Sequence, residues 1–345
     1  MIFEKELFII AELSANHNGD LGRAKEIIKA AHEAGADAVK LQTYTPDTIT
    51  LDCDSEHFTI KQGTVWDGRR LYELYKEAMT PWEWHPELFA YARSLGLEIF
   101  SSPFDKSAVD FLEELEPCAY KIASFEITDT PLIRYAASKG RPMIISTGVA
   151  TLEDIELAIE ACKEVGNEDI TLLKCTSSYP APLEEMNLLT MPDMQKRFGV
   201  KVGLSDHSVS LAAPVVAVAY GACVIEKHFT LRRADGGADG SFSLEPHEFK
   251  EMADAARDAK KLMGRVSYEL SEKGKKSREF ARSLFVAEDI RAGEVLDETN
   301  IRSVRPGFGL HPRFLAEIIG KIAARDLKKG EPLELKMLVD CHNII

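Results

Sequence analysis

Long apolar runs, paired cysteines and an excess of positive charge are all missing from this chain of 345 residues. No stretch approaches the roughly 18 consecutive apolar residues that span a bilayer, so integration in a membrane is not expected. The six cysteines, Cys53, Cys118, Cys162, Cys175, Cys223 and Cys341, form no CxxC pair. They read as small core residues, with a zinc cluster as the other reading. A net charge of −14 argues against a general nucleic-acid surface, which needs clustered Lys and Arg. It leaves room for a locally basic site that takes an anion. The start, Met1 to Glu6, carries both charge signs and leads into Leu7-Phe8-Ile9-Ile10-Ala11, too short and wrongly flanked for a secretory signal. A cytoplasmic location follows as the expectation. A GxGxxG turn is also missing, which weakens the case for a doubly wound open sheet.

What is present is a run of short apolar segments in a composition that is 45% hydrophobic and 28% charged, ordinary for a globular protein. The eight segments are Phe8–Ser14, Ala38–Tyr44, Leu97–Pro103, Ala119–Ser124, Pro142–Gly148, Ile170–Tyr179, Val200–His207 and Ala222–Thr230. They lack strict polar alternation, as strands of a parallel sheet covered on both faces do. Helices fit between them. One begins near Asp20, turns Leu21, Ala24, Ile27, Ile28 and Ala31 to one face, and stops at Gly35. Another opens at Thr151-Leu152-Glu153-Asp154, close to a capping box, and runs through Ile155, Ala158, Ile159 and Cys162 to Gly166. Eight such units over about 260 residues predict a TIM (β/α)8 barrel, whose functional residues gather at the C-terminal strand ends. The segment from Pro46 to about Thr80 is too long for an ordinary βα loop and reads as a lid or substrate loop. The expected division is a barrel over 1–265, a charged linker over 266–280 and a small β-rich domain over 281–345.

In a barrel, the polar residues late in each strand face one mouth. They are Glu12, Ser14, Asn16 and His17; Lys40 and Gln42; Ser101 and Ser102; Lys121, Ser124 and Glu126; Ser146 and Thr147; Lys174, Thr176, Ser177, Ser178 and Tyr179; Ser205, Asp206 and His207; and Glu226, Lys227 and His228. His207 and His228 lie 21 residues apart, one helix-plus-strand step, so their imidazoles can converge from adjacent strands. Such a pair can hold a divalent cation with water completing the shell, or can simply be two hydrogen-bonded barrel histidines. Lys40 and Lys121 lie where a solvated role is awkward. They can cradle phosphate or carboxylate together with Ser102, Ser124, Ser146 and Ser205, form structural Lys–Glu contacts, or serve as Schiff-base lysines.

Several longer motifs resemble one family. Ala11-Glu12-Leu13-Ser14-Ala15-Asn16-His17-Asn18, Gly35 to Tyr44, Tyr120-Lys121-Ile122-Ala123-Ser124-Phe125-Glu126, Gly203 to His207 and Ile225 to Phe229 are similar to the sialic acid synthase family over nearly the whole chain. Glu12 to Asn16, the Trp66-Asp67 loop and Ser303 to Pro312 look like its pseudaminic branch. The resemblance implies a barrel followed by an antifreeze-protein-like (SAF) domain. It implies condensation of phosphoenolpyruvate with an open-chain amino-sugar aldehyde, giving a nine-carbon 2-keto acid and phosphate. For the pseudaminic branch the sugar is 2,4-diacetamido-2,4,6-trideoxy-altropyranose; N-acetylneuraminic and legionaminic acid synthesis are the alternatives.

By the same resemblance His207 and His228 would bind a divalent metal, Mn²⁺ first, with Mg²⁺ or Co²⁺ as alternatives. Lys40, Ser102, Lys121, Ser124, Ser146, Ser177, Tyr179 and Ser205 would line the phosphoenolpyruvate end. Glu12, Glu126, Glu226 and Asp239 would lie toward the sugar or the attacking water, with Glu126 or Glu12 as proton acceptor. Gly240 stands where many members have a histidine, which weakens the assignment of Asp239. Arg305 would reach the barrel mouth of a second subunit, implying a domain-swapped homodimer. Two other classes compete: a Schiff-base aldolase using Lys121 or Lys40, and a sugar-acid binding protein without activity.

Overall fold

The computed structural model describes residues 5–61, 63 and 66–339. It contains two compact units, Met1–Gly264 and Arg265–Ile345. Residues 1–4 of the amino-terminal segment, Cys341 and the end of the expected second domain lie outside the described residues. Among those described, no helix is long and apolar enough to cross a membrane.

In the first unit eight parallel strands close into a barrel in chain order. They are β1 (Phe8–Glu12), β2 (Ala38–Thr43), β3 (Glu98–Pro103), β4 (Tyr120–Ile122), β5 (Met143–Ser146), β6 (Ile170–Cys175), β7 (Lys201–Asp206) and β8 (Val224–His228). Strands β1 and β8 pair directly, Glu12 opposite His228, and this closes the ring. Each strand falls inside an expected segment, and most end earlier than the apolar run does. At β1 the reason is local: Ser14 takes φ 46°, a left-handed conformation that cannot continue a strand.

The alternation of side chains along the strands sorts the core into two compartments. Phe8, Ile10, Ala38, Phe100, Ala119, Ile144, Leu173 and Val224 form one buried cluster filling the lower barrel interior. The intervening residues, among them Ile9, Ala11, Val39, Ile99, Ile145, Leu172 and Ile225, join the larger cluster under the helices. Two residues further along the inward-facing series come Glu12, Lys40, Ser102, Lys121, Ser146, Cys175, Ser205 and Glu226. The barrel interior is therefore apolar below and charged above.

The flanking helices follow their sequence signals. Leu21–Glu33 is capped by the Asp20 side chain, which accepts from the Arg23 N–H, and buries Ala24, Ile27, Ile28 and Ala31. Leu152–Lys163 starts with a reciprocal capping box between Thr151 and Asp154. Gly35 and Gly166 follow these helices at φ 87° and 79°, where a side chain would be strained. The long insertion after β2 is not structureless. It holds helices Pro46–Ile49 and Leu71–Ala78, with an antiparallel bridge between Thr59 and Arg70.

Gly203 is an inward residue of β7, packed between Leu173 of β6 and Val224 of β8. A Cβ there would sit 2.4 Å from the Val224 carbonyl oxygen and 2.6 Å from Leu173 Cδ2. Backbone cannot swing aside as a side chain can, so Gly203→Ala is expected to destabilise the barrel by about 1–3 kcal/mol. Urea unfolding checks this, and an unchanged midpoint would refute the close packing.

In the second unit β9 (Ser283–Val286) and β10 (Ile301–Val304) pair antiparallel, Ile301 opposite Val286. The rest of the expected β-rich domain is held by isolated antiparallel bridges such as Ile290–Leu327 and Val295–Ile322. Leu284, Val286, Leu296, Ile301, Ile318, Leu327 and Leu333 form its core. Within the stretch expected as a charged linker, Glu272–Ser277 is a short helix whose Ser271 cap accepts from the Gly274 N–H. The local capping signal is enough to order this lysine-rich segment into a turn and a half.

Candidate active site

The charged upper layer of the barrel is one connected network. Lys40 Nζ lies 2.7 Å from Glu12 Oε2 and 3.2 Å from Glu226 Oε1, and Lys121 Nζ lies 3.9 Å from the same Glu226 oxygen. Register explains the meeting: Glu12 pairs with Lys40 on β2, and Ser205 pairs with Glu226 across β7 and β8. Lys121 donates to Ser146 Oγ at 2.6 Å, and Ser205 donates to Glu226 Oε1 at 3.2 Å. Glu12, Lys40, Lys121 and Glu226 are all buried.

Burial disfavours charge on all four, and the neighbours decide which keep it. Burial lowers Lys40, but Glu12 and Glu226 outweigh it and hold the ammonium above its usual range. Glu226 is held below the carboxylate range because Lys121 and Lys40 overcome its desolvation. Glu12 is pushed up by burial against the pull of Lys40. Lys121 is brought down by burial to about 8.

Above this floor opens a cavity of about 590 Å³. Of the residues expected in a site, it is lined by Glu12, Lys40, Lys121, Ser124, Glu126, Ser146, Ser177, Tyr179, Ser205, His207, Glu226, His228 and Asp239. Ser102 lies just behind the lining, where it accepts from Lys40 at 3.5 Å. Arg305 belongs to the second unit, one residue past β10. Other strand-end polar residues serve the scaffold. His17 is fixed by Thr80 at 3.1 Å, and Lys227 is buried against Asp206 and the Ser208 carbonyl.

The two histidines do converge. Their ring centroids are 5.3 Å apart. His207 Nδ1 lies 3.0 Å from the Thr176 carbonyl and must donate there, which makes Nε2 the nitrogen able to ligate once it has lost its proton. Burial, with His207 next, holds His228 well below the usual imidazole range and therefore neutral. Its Nδ1 is buried without a hydrogen-bond partner among the described residues. Burial lowers His207, but Cys175 outweighs it and raises the imidazole above its usual range, so a metal would displace the Nε2 proton. With that proton gone, the two imidazoles suit a divalent cation whose other positions are filled by water or substrate. No group of three or more His, Cys, Asp or Glu side chains poised for a metal occurs among the described residues, so a site here would be an open one.

Glu126 and Asp239 stand apart from the ion-pair network. Burial raises Glu126 to about 7, and its Oε2 is buried with no partner among the described residues. Asp239 accepts from the Ser14 hydroxyl and from the Ala15 N–H at 3.4 Å, and burial raises it. Gly240 beside it leaves this placement intact.

Two contributors, Cys175 and Gly148, were absent from the expected set, and Gln42, expected at the mouth without a role, proves to be a third contributor. Cys175, expected as core, lines the cavity 3.7 Å from His207 Nδ1. Burial would raise its thiol, but His207 outweighs burial and brings it to about 7. Gln42 donates to Glu12 Oε1 and to Ser14 Oγ, at 3.2 and 2.9 Å. Gly148 donates its N–H to Ser124 Oγ at 3.0 Å, and a Cβ there would fall 2.1 Å from Ser177 Oγ. For Cys175 and Gln42 the signal was parity: both share the inward series with Leu173 and Lys40.

A (β/α)8 barrel with cations, carboxylates, hydroxyls and paired imidazoles at its C-terminal mouth defines an enzyme acting on a small anionic substrate. The chain belongs to the NeuB family, which matches residues 27–268, and residues 281–339 match the SAF domain. It is 52% identical over 331 residues to the pseudaminic acid synthase of Campylobacter jejuni serotype O:2, covering 96% of each chain. It is 50% identical over 326 residues to the pseudaminic acid synthase of Helicobacter pylori, covering 94% of this chain and 96% of the relative. Among solved structures, an N-acetylneuraminic acid synthetase from Leptospira borgpetersenii superposes with TM-score 0.71 at 30% identity, covering 79% of this chain and 90% of that one.

Proposed function

We propose that this chain is a pseudaminic acid synthase, condensing phosphoenolpyruvate with 2,4-diacetamido-2,4,6-trideoxy-altropyranose in its open-chain form. The observation that supports this most is the shared floor: two buried lysines converge on one carboxylate, Glu226, in a single cavity with the histidine pair. A ligand carrying both a phosphate and a carboxylate can take over those lysine contacts. The hydroxyls of Ser124, Ser146 and Ser205 stand around the same floor to accept or donate hydrogen bonds.

In the reaction, C3 of phosphoenolpyruvate bonds to the aldehyde carbon, and the aldehyde oxygen takes a proton. Water then adds at C2, and the C–O bond to phosphate breaks to leave the 2-keto acid. His207 and His228 would hold a divalent metal, Mn²⁺ before Mg²⁺ or Co²⁺, which supplies Lewis-acid polarisation of the aldehyde when bound. Lys40 and Lys121 hold the anionic groups in line. Glu126 accepts the proton of the attacking water; Glu12, engaged by Lys40 and Gln42, is less available for that task.

Phosphate release, assayed with phosphoenolpyruvate and a panel of amino sugars with and without chelator, tests this reading. Release with the trideoxy diacetamido sugar and its loss in chelator are expected; release only with N-acetylmannosamine or the legionaminic precursor would reassign the substrate. The depressed Lys121 also suits a Schiff-base aldolase. Borohydride trapping of sugar on the protein, with activity retained in chelator, would establish that mechanism instead.

The pH profile follows from Glu126. A base raised to about 7 is active only after losing its proton, so kcat is expected to climb as pH rises through about 7. Glu126→Gln should lower kcat by about 10²–10⁴-fold and remove that limb. A variant that keeps the limb would move the role elsewhere.

A homodimer, with Arg305 of one subunit completing the site of the other, belongs to the same reading and is supported by the family resemblance. So is a cytoplasmic location, with which the free cysteines Cys53, Cys118, Cys162, Cys175 and Cys223 agree.

A further inference from the structure

The cavity has two ends of opposite character. The barrel floor is charged. The wall built by the insertion after β2, and by the residue following β3, presents Ile49, Ile60, Leu71, Leu74, Tyr75 and Phe104, with His57 and Thr59 as polar neighbours. These six come from four separate segments: the helix Pro46–Ile49, the bridged strip between Thr59 and Arg70, the helix Leu71–Ala78, and the end of β3. Tyr44, largely buried and also lining the cavity, ties them together, with ring centroids 5.6 Å from Tyr75 and 5.1 Å from Phe104. None of the six carries a formal charge, and five have no side-chain polar atom.

The wall rises from two neighbouring strands. Phe104 follows β3 and the other five residues belong to the insertion after β2, while His207 follows β7 and His228 ends β8. The apolar wall and the histidine pair therefore line one cavity from different strands. A sugar whose aldehyde lies at the histidines can reach the wall with its far carbons, because both line the same cavity.

We propose that this wall is the specificity subsite for methyl-terminated substituents at the end of the amino sugar remote from its aldehyde, selecting a deoxy, N-acylated sugar over one bearing a hydroxyl there. The inference rests on the synthase reading given above. Apolar side chains gain from covering a methyl group, whereas a sugar hydroxyl pressed against them gives up its water without a partner. A hydrophobic pocket discriminates by roughly 10–200-fold per such group. That is the scale of selectivity expected here.

The test compares phosphate release by the full chain with two sugars, 2,4-diacetamido-2,4,6-trideoxy-altropyranose and N-acetylmannosamine, which keeps its C6 hydroxyl. Leu74→Asn should raise KM for the trideoxy sugar about 10–100-fold while leaving KM for phosphoenolpyruvate within about twofold, and Leu74→Met should restore the low value. Turnover of N-acetylmannosamine should stay level or rise. Ile49→Ser, at a half-buried position, carries the same expectation should Leu74→Asn fail to fold. The proposal is overturned if both sugars lose kcat/KM equally, or if KM for the trideoxy sugar does not move in either variant. Failure of the unaltered enzyme to release phosphate with any amino sugar would instead remove the synthase reading itself, and this inference with it.

Discussion

Lys40→Met is expected to reduce phosphate release by at least about 10²–10³-fold, the scale lost when one preorganised charged donor is removed from a site. Among the described residues, Lys40 is the only side chain that contacts both buried carboxylates, Glu12 and Glu226, within 3.2 Å, and methionine approximates its length without its charge. The loss should appear in KM for phosphoenolpyruvate as well as in kcat, because the ammonium is proposed to bind the anion in both ground and transition states.

A stability effect accompanies it, and its pH dependence has a definite sign. Without Lys40 the two carboxylates face each other in a buried site, and Glu12 rises further above its ordinary value of 4.5, already being pushed to about 7 by burial. A carboxyl raised in the folded state binds protons more tightly there than in the unfolded chain, so the variant is most stable in acid and weakens as pH rises. The deficit relative to the parent should be small near pH 5 and reach about 3–5 kcal/mol near pH 8. Urea midpoints at the two pH values measure it. Activity within fivefold of the parent, or a deficit independent of pH, would show that the ion pairs seen on the floor are not what holds it together.

The second large effect lies outside the cavity. Lys227→Met is expected to destabilise the barrel by about 3–5 kcal/mol, because it strands Asp206 as an unpaired buried charge. Both side chains are fully removed from solvent, and Lys227 also donates to the Ser208 carbonyl. Burial lowers Lys227, with Asp206 pulling the other way. Replacing the pair together, Lys227→Met with Asp206→Leu, should recover most of the loss, since a well-packed apolar pair avoids the desolvation of both ions. A double variant as unstable as the single one would mean that packing, not charge, accounts for the effect. The consequence for function is indirect: the pair joins β7 to β8 immediately beside His207 and His228.

Much of the barrel was legible in the sequence because it depends on local patterns. Buried-strand runs, the Asp20 cap, the Thr151 capping box and the glycines after helices are read over a few residues, and each element formed where its signal lay. The second unit was less legible. Its core is spread over bridges and turns, such as Ile290–Leu327, that pair residues distant in the chain and leave little periodicity.

The site divides the same way. The chain by itself determined which polar residues stand at the strand ends, since a lysine or carboxylate inside an apolar run needs a partner wherever it is placed. Only the tertiary structure decided which of them meet. Side-chain parity turns Lys40, Lys121 and Glu226 into the barrel, while Lys227, one residue from Glu226, pairs with Asp206 on the other side of the sheet. Strand register and closure of β1 on β8 then bring Glu12 beside residues more than two hundred positions away. A cavity with a charged floor and an apolar wall is a product of that closure, because the floor is gathered from β1, β2, β4 and β8 and the wall from the segments that follow β2 and β3.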